Sequence, residues 1–346
     1  MGQMGRWGRC VGALLGVVLA WGEARAEGLQ VEYDLQTPLF LDRTYLFVSP
    51  NRIHRLGDPE SPAPLLFEGQ FAPNLFLPQL RLGDFKEDGR ETLFSLVFTP
   101  LIRLRVLNTN SSPVIPPSYI PKLTLQAAHL RLLRGPDKDS QPRAVAVGLN
   151  AILGHYSNGA QGCFFANQTG TDPDCTPAEG SLPLNEVSGS FSTNFLRFEL
   201  HGRLGFGVDP QRVSAWILGA NGFYELNSSI GPGGMSHAQR EVYGAGHWGL
   251  GLVGERALNG TRFRLEGTFS KPFGETPFQR PTFSLEAAVN PWWSAGFGLF
   301  ARYIHGQDYY NILFLERISF WQFGLVFELN PGARLKTDSD QPPGFW

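Results

Sequence analysis

The run RAVAVGLNAILGHYS, residues 143–157, alternates apolar residues with small or polar ones along most of its length. Successive side chains of a β-strand point to opposite faces, so the run predicts a strand with one apolar face from Val145 to Leu153. The same face continues into His155 and Ser157, which would stand roughly 7 Å apart along the strand. At that spacing an imidazole can bend over a serine hydroxyl, and the unusual feature is that both lie on the apolar face.

Residues 192–206 form a second alternating run. Its apolar face holds Leu196, Phe198 and Leu200, and Asn194 points the same way. Its other face carries the charged or titratable residues Arg197, Glu199, His201 and Arg203. In a soluble sheet the apolar face is the core, whereas in an outer-membrane barrel it meets lipid and the lumen is polar. If the polar face lines a lumen, we expect an internal charge network there without a catalytic role.

The N-terminus has the pattern of a secretory signal. Arg6 and Arg9 precede an apolar run at residues 11–21, and Ala24-Arg25-Ala26 has the small-x-small form of a cleavage site. We therefore expect residues 1–26 to be a signal peptide and residues 27–346 to be the mature chain. The alternative, a membrane anchor, is disfavoured because the apolar run is too short to cross a bilayer. Cys10 precedes this run, so it is not a lipoprotein cysteine.

The composition excludes several classes of protein. The 41 glycines, 13% aromatic residues and 17% charged residues suit short strands and turns better than helices. No later stretch is apolar over about 18 residues, so no transmembrane helix is expected. The net charge of −2 argues against nucleic acid as a partner.

The two cysteines beyond residue 26, Cys163 and Cys175, follow His155 closely, and export favours a disulfide between them. Free thiols are the alternative, and a two-cysteine metal site lacks nearby histidines.

Twelve strand-like segments lie between residues 39 and 329, and most are long enough for a tilted strand to cross a membrane. They lie near residues 40–49, 64–79, 91–107, 119–134, 143–157, 190–207, 211–226, 241–254, 261–271, 281–290, 293–306 and 316–329. The sequence therefore predicts an all-β fold: a twelve-stranded antiparallel transmembrane β-barrel of the bacterial outer membrane.

The lengths of the connections give an orientation, because such barrels have short periplasmic turns and longer outer loops. Residues 158–189, 227–240 and 272–280 are long connections that alternate with short ones. If the first strand leaves the periplasm, His155 lies toward the outer leaflet, and Asn194 lies beside it on the next strand.

Several motifs resemble those of the outer-membrane phospholipase A family. The pattern His155-x-Ser157-Asn158-Gly159 is followed by a loop and by Ser-x-Ser-x-Asn at residues 190–194. Residues 111–113, with Tyr119 and Pro121 at similar distances, and residues 306–308 extend the similarity over nearly the whole mature chain.

This resemblance implies a phospholipase of the A1/A2 and lysophospholipase type, with glycerophospholipids of the outer-membrane bilayer as substrates. It implies a triad of Ser157, His155 and Asn194 on the outer wall of the barrel. It also implies a Ca²⁺ ion held by the Ser111 hydroxyl and by the backbone carbonyls of Ala160 and Ser190, oxygen ligands that suit calcium.

The chain also departs from the family pattern. The loop between Asn158 and Asn194 is much longer than the family's usual one and holds the two cysteines. Ala160 replaces the usual arginine, although a carbonyl ligand does not depend on its side chain. The resemblance implies a homodimer, but the interface glutamine has no counterpart around Leu104, and the acidic ligand of the weaker calcium site has none either. These departures bear on calcium control and dimerisation more than on the chemistry.

The chemistry of the three residues is coherent. A neutral histidine can take the proton of a serine hydroxyl, and a third group must hold its tautomer and orientation. Asn194 can do this through its carbonyl oxygen, and Glu186 is the alternative third member. The competing functions are a lipid A deacylase, which would have fewer strands and an acidic third residue, and a passive channel or non-catalytic scaffold.

Overall fold

The structure of the chain is a computed structural model with sixteen strands and one short helix among the residues it describes. Those residues are 30–35, 41–55, 58–83, 89–110, 114–133, 143–177, 183–206, 215–258, 261–277, 279–291, 293–294, 297–311, 313–327 and 331–336. The expected signal peptide at residues 1–26 and the candidate calcium ligand Ser111 lie outside them. The described part of the chain contains no helix that is long and apolar enough to cross a membrane.

The strands are β1 Gln30–Leu35, β2 Thr44–Val48, β3 Arg52–Arg55, β4 Asp58–Phe71, β5 Leu75–Leu82, β6 Arg90–Leu107, β7 Val114–Leu133, β8 Arg143–Ser157, β9 Ser192–Phe206, β10 Ala215–Ser228, β11 Gly246–Leu258, β12 Thr261–Phe273, β13 Thr282–Asn290, β14 Phe297–Gln307, β15 Arg317–Phe327 and β16 Pro331–Lys336. The helix, α1, is His237–Tyr243.

Thirteen of these strands form a closed antiparallel barrel with twelve strand positions, as predicted, because β4 and β5 share one position. Strands β6 to β15 each pair with the next, β15 pairs with β2, and β2 pairs with β4, which returns to β6. Strands β4 and β5 both run antiparallel to β6, so they are two halves of one barrel strand that is interrupted at residues 72–74. The remaining strands β1, β3 and β16 lie beside this ring.

The barrel is apolar outside and polar inside. Leu153 and Leu200 point outward and are 61% and 60% exposed. Charged side chains fill the lumen, where Arg203 pairs with Glu255 at 2.6 Å and Arg197 with Glu199 at 2.7 Å. Arg197, Glu199 and Arg203 line an internal cavity of about 320 Å³. An apolar exterior around a polar lumen is the arrangement of outer-membrane barrels and the inverse of a soluble sheet.

Most strand boundaries lie within a few residues of the predicted ones, but the eighth predicted strand, residues 241–254, is wrong at its start. Residues 241–243 belong to α1 and the strand begins at Gly246. Ser236 caps the helix in a reciprocal capping box with Gln239. Gly244, with φ of 108°, ends it in a conformation that favours glycine.

The barrel is filled by aromatic side chains at the end where β8, β10 and β12 finish, which we call the loop end. Tyr243 of α1 lies at its centre, with ring centroids 4.6 Å from Phe191, 4.8 Å from Phe314 and 4.2 Å from Tyr309. Burial raises the pKa of the Tyr243 phenol well above its ordinary value, so the hydroxyl stays protonated and donates to the Tyr309 carbonyl. Tyr156 joins this cluster from β8, which fixes the strand that carries His155 and Ser157.

Candidate active site

Two of the three candidate catalytic residues face each other directly across the ladder of β8 and β9. His155 pairs with Asn194 in register, and the His155 Nδ1 and Asn194 Oδ1 atoms are 2.7 Å apart. Their neighbours Tyr156, Thr193 and Phe195 are buried inward, so both side chains belong to the outer, apolar wall. Asn194 therefore occupies the position beside the imidazole.

Ser157 lies two residues beyond His155 on the same face, at the end of β8. Among the described residues, its hydroxyl accepts a hydrogen bond from the Gly159 N–H at 3.2 Å and is not bonded to the imidazole. Catalytic hydrogen bonds are often long or unformed without substrate and tighten when it binds. Tyr119 of β7 pairs with Ser157 across the ladder, so the serine is flanked by an exposed aromatic ring.

The loop after β10 fixes which way the Asn194 amide points. Asn194 Nδ2 donates to the carbonyl oxygens of Ile230 at 2.8 Å and Pro232 at 3.1 Å. The nitrogen must therefore face the loop, and Oδ1 faces the histidine. Because Oδ1 only accepts, the Nδ1 atom of a neutral His155 carries the ring proton and Nε2 keeps its lone pair. That tautomer is the one a general base needs.

Gly233 of the same loop lies against the imidazole. A Cβ at this position would be 2.6 Å from His155 Cε1, which is closer than side chains approach, and the φ of Gly233 is +71°. Two bonds to Ser228 hold the loop in place: Ile230 N to Ser228 Oγ at 3.0 Å and Met235 N to the Ser228 carbonyl at 3.1 Å. The His155 ring is therefore held by Asn194 at its Nδ1 edge, and the backbone of Gly233 packs against it.

Asn158 joins the two ends of the long loop between β8 and β9. Its Nδ2 donates to the Gly189 carbonyl at 2.8 Å, while its Oδ1 accepts from the backbone N–H groups of Ala160 at 3.2 Å and Phe191 at 3.0 Å. The side chain is almost fully buried, at 2% exposure. This one amide thus brings the segment after Ser157 against the segment before Asn194.

The two described candidate calcium ligands, Ala160 and Ser190, lie in those joined segments. The Ser190 N–H donates to the Gly162 carbonyl at 2.6 Å, and its hydroxyl donates to the Asp172 carboxylate at 3.3 Å. The described residues contain no group of three or more His, Cys, Asp or Glu side chains that could hold a metal. The expected ligands are instead carbonyl and hydroxyl oxygens, with one carboxylate near them.

The long loop between β8 and β9 contains the expected disulfide between Cys163 and Cys175, whose Cα atoms are 5.7 Å apart. Asp172 lies inside this closed segment, and its N–H donates to the Gln161 carbonyl at 3.0 Å. Asp172 could not be identified from the sequence, because a contact between the middle of a long loop and Ser190 leaves no periodic pattern.

No family model and no curated protein matches the chain. Solved structures with some similarity are OmpTΔL8, a loop L8 deletion mutant of OmpT, and in-vitro folded OmpT, both described as an outer membrane protein of Vibrio cholerae. The first is 9% identical with a TM-score of 0.30, covering 87% of this chain and 99% of that one. The second is 8% identical with a TM-score of 0.29, covering 88% and 98%. Similarity at this level assigns no activity, so function has to be argued from the site.

Proposed function

We propose that this barrel is a calcium-assisted phospholipase of the A1/A2 and lysophospholipase type, acting on glycerophospholipids in the bacterial outer membrane. Ser157 is the nucleophile, His155 the general base and Asn194 the group that orients it. The observation that carries the proposal is the His155–Asn194 pair on the apolar outer wall, with Ser157 on the same face. Polar groups on a lipid-facing wall are costly, so a paired imidazole and amide there favour a function.

In the acylation step, Ser157 Oγ attacks the ester carbonyl carbon while its proton passes to His155 Nε2. The resulting imidazolium then gives that proton to the departing alcohol oxygen, which leaves an acyl group on Ser157. A water molecule, deprotonated by the same nitrogen, releases the fatty acid and restores the serine. The amide of Asn194 holds the ring throughout but adds no negative charge beside the imidazolium.

The oxyanion that forms on the ester carbonyl needs positive charge or donors near it. Calcium, when bound, would supply this charge, and the residues present fit a calcium ion by their donor type. Ser111 would contribute its hydroxyl and Ala160 and Ser190 their carbonyls, and the Asp172 carboxylate lies beside Ser190. All are oxygen donors, and the two described carbonyls belong to the segments that Asn158 joins.

The surface around the site supports an acyl substrate. Leu153 precedes His155 on β8, Leu196 follows Asn194 on β9, and the two leucines pair across the ladder. The loop residue Ile230 is 77% exposed. An acyl chain already in the membrane can lie along such a wall with its ester at Ser157. We place this end of the barrel at the outer leaflet, because the long loops leave from it.

The lumen gives a channel less support. The aromatic cluster at the loop end buries Tyr156, Phe191, Tyr243 and Phe314 almost completely. A passive channel also gives no reason for an imidazole and an amide to be paired on the outer wall.

The test is fatty-acid release by the purified, folded protein from phospholipid–detergent micelles, with calcium or with excess chelator. Lipopolysaccharide serves as a parallel substrate, since a lipid A deacylase would release its acyl chains instead. Ser157→Ala should abolish release. Ser319→Ala is the matched control, because Ser319 is an exposed serine on β15, on another part of the outer wall. No release from phospholipid by folded wild-type protein would contradict the proposal.

A further inference from the structure

We propose that the backbone carbonyls of Ile230 and Pro232 set the tautomer of His155 through the Asn194 amide, so that position 194 requires asparagine and disfavours aspartate. This inference rests on the proposed function, since a fixed tautomer matters most if His155 is a base. It goes beyond that function by assigning positioning roles to Ile230, Pro232 and Gly233, which touch the base or its partner but carry no reactive group.

The loop requires two hydrogen-bond donors from the side chain at position 194. Two carbonyl oxygens accept from Asn194 Nδ2, at 2.8 and 3.1 Å, and an amide nitrogen carries two hydrogens. Each hydrogen therefore has a partner, and the amide cannot rotate by half a turn without placing its oxygen against two acceptors. The loop thus determines the orientation of the amide, and the amide determines which ring nitrogen of His155 is protonated.

An aspartate at position 194 could not donate these two hydrogen bonds. A carboxylate would put an oxygen against the Ile230 and Pro232 carbonyls, three acceptors with no hydrogen between them. The loop would move away, or the carboxyl would keep a proton and serve one carbonyl only. In serine hydrolases with an aspartate, the carboxylate stabilises the imidazolium. Here the stabilisation of the imidazolium is opposed by the loss of the two hydrogen bonds to the Ile230 and Pro232 carbonyls, which hold the side chain at position 194 in place.

Gly233 contacts the His155 ring and leaves no space for a side chain at its own position. Gly231 and Gly233 both have a positive φ, +83° and +71°, so alanine at either position carries backbone strain. They differ in what a new methyl group would meet. At Gly233 it would be 2.6 Å from His155 Cε1, whereas at Gly231 it would lie 3.5 Å from Asn194 Nδ2, an ordinary contact. Gly231→Ala is therefore the matched control for strain without displacement of the ring.

The activity test compares four proteins: wild type, Asn194→Asp, Gly233→Ala and Gly231→Ala. Heat-modifiable migration on a gel confirms that each barrel is folded. We expect turnover of Asn194→Asp to fall at least about tenfold below wild type, because two hydrogen bonds are lost and replaced by repulsion. We expect Gly233→Ala to lose at least about tenfold more than Gly231→Ala, because ring misplacement on the scale of 1 Å can cost about a hundredfold.

A second readout does not depend on activity. The ¹⁵N resonances of the imidazoles in histidine-labelled protein report which ring nitrogen is protonated, and the His155 signal is identified by its absence from His155→Gln. We expect the neutral Nδ1–H form in wild type and Gly231→Ala, and a changed tautomer or a mixture in Asn194→Asp and Gly233→Ala.

The outcomes separate the two proposals. Asn194→Asp with wild-type turnover and an unchanged tautomer, or equal losses in Gly231→Ala and Gly233→Ala, would overturn the positioning role while leaving the hydrolase intact. A protein that hydrolyses no ester but shows the expected resonances would overturn the proposed function and leave the positioning role standing.

Discussion

Replacing Asn158 by alanine should loosen the loop beside the site while leaving the barrel closed. The substitution removes three hydrogen bonds from a side chain that is almost fully buried: one to the Gly189 carbonyl and two from the N–H groups of Ala160 and Phe191. At about 1 kcal/mol net for each bond, the loss is about 3 kcal/mol of local stability. That is a factor of roughly 150 in the equilibrium between the closed and open loop.

Amide hydrogen exchange measures this equilibrium directly, because local opening exposes the protected N–H groups. In Asn158→Ala we expect exchange to become roughly 100-fold faster in peptides covering residues 159–166 and 188–191. Amides in the ladder of β10 to β13 should keep their wild-type rates. Turnover should fall by at least about tenfold, because Ser157 precedes the freed segment and catalysis is sensitive to shifts near 1 Å.

Asn185→Ala is the control. Its amide also bonds within the loop, to the Cys163 carbonyl at 3.0 Å and to Ser188, but it makes none of the three bonds to Ala160, Gly189 and Phe191. Asn185→Ala should speed exchange near residues 163 and 188, keep the Ala160 and Phe191 amides at their wild-type rates, and leave turnover within about threefold of wild type. Wild-type exchange and turnover in a folded Asn158→Ala protein would refute the reasoning.

Three further predictions concern the site itself. Ser157→Ala and His155→Ala should each lower hydrolysis by several orders of magnitude in a folded barrel, as is typical when a triad member is removed, and wild-type turnover in either would reject the assignment. In the same kinetic assay, Asn194→Ala should lower turnover less than those two changes, because an amide orients the histidine without adding charge. Wild-type turnover in Asn194→Ala together with a large loss in Glu186→Ala would assign the orienting role to Glu186 instead. Chelation of calcium should inhibit hydrolysis, and Ser111→Ala should raise the calcium concentration needed for half-maximal activity. Reduction of the Cys163–Cys175 disulfide should lower calcium affinity more than barrel stability. Full activity in excess chelator would show that the metal has no role.

The barrel and the outward face of the site could be predicted from the sequence because both depend on the two-residue period of a strand. The alternation at residues 143–157 and 192–206 places His155, Ser157 and Asn194 on the apolar face, and the structure has them there. Register then brings His155 opposite Asn194. The period is a local property of each strand, so one sequence suffices to infer which face a residue lies on.

Other features could not be predicted because they depend on contacts between distant residues. The helix α1 is the exception, because its capping box of Ser236 and Gln239 is a local signal that could have been recognised in the sequence. The loop carbonyls that orient Asn194 come from Ile230 and Pro232, more than thirty residues away in a stretch without periodicity. Asp172 meets Ser190 only because its loop folds back on itself.

The most direct test of the central claim, that Ser157 is a nucleophile activated by His155, is covalent labelling by a hexadecyl sulfonyl fluoride. This reagent attaches to activated serines, and peptide mass spectrometry locates the adduct. The account predicts an adduct on Ser157 in wild type, with little labelling in His155→Ala, and none on the exposed Ser319. Labelling spread over several surface serines, or equal labelling of Ser157 with and without His155, would contradict it.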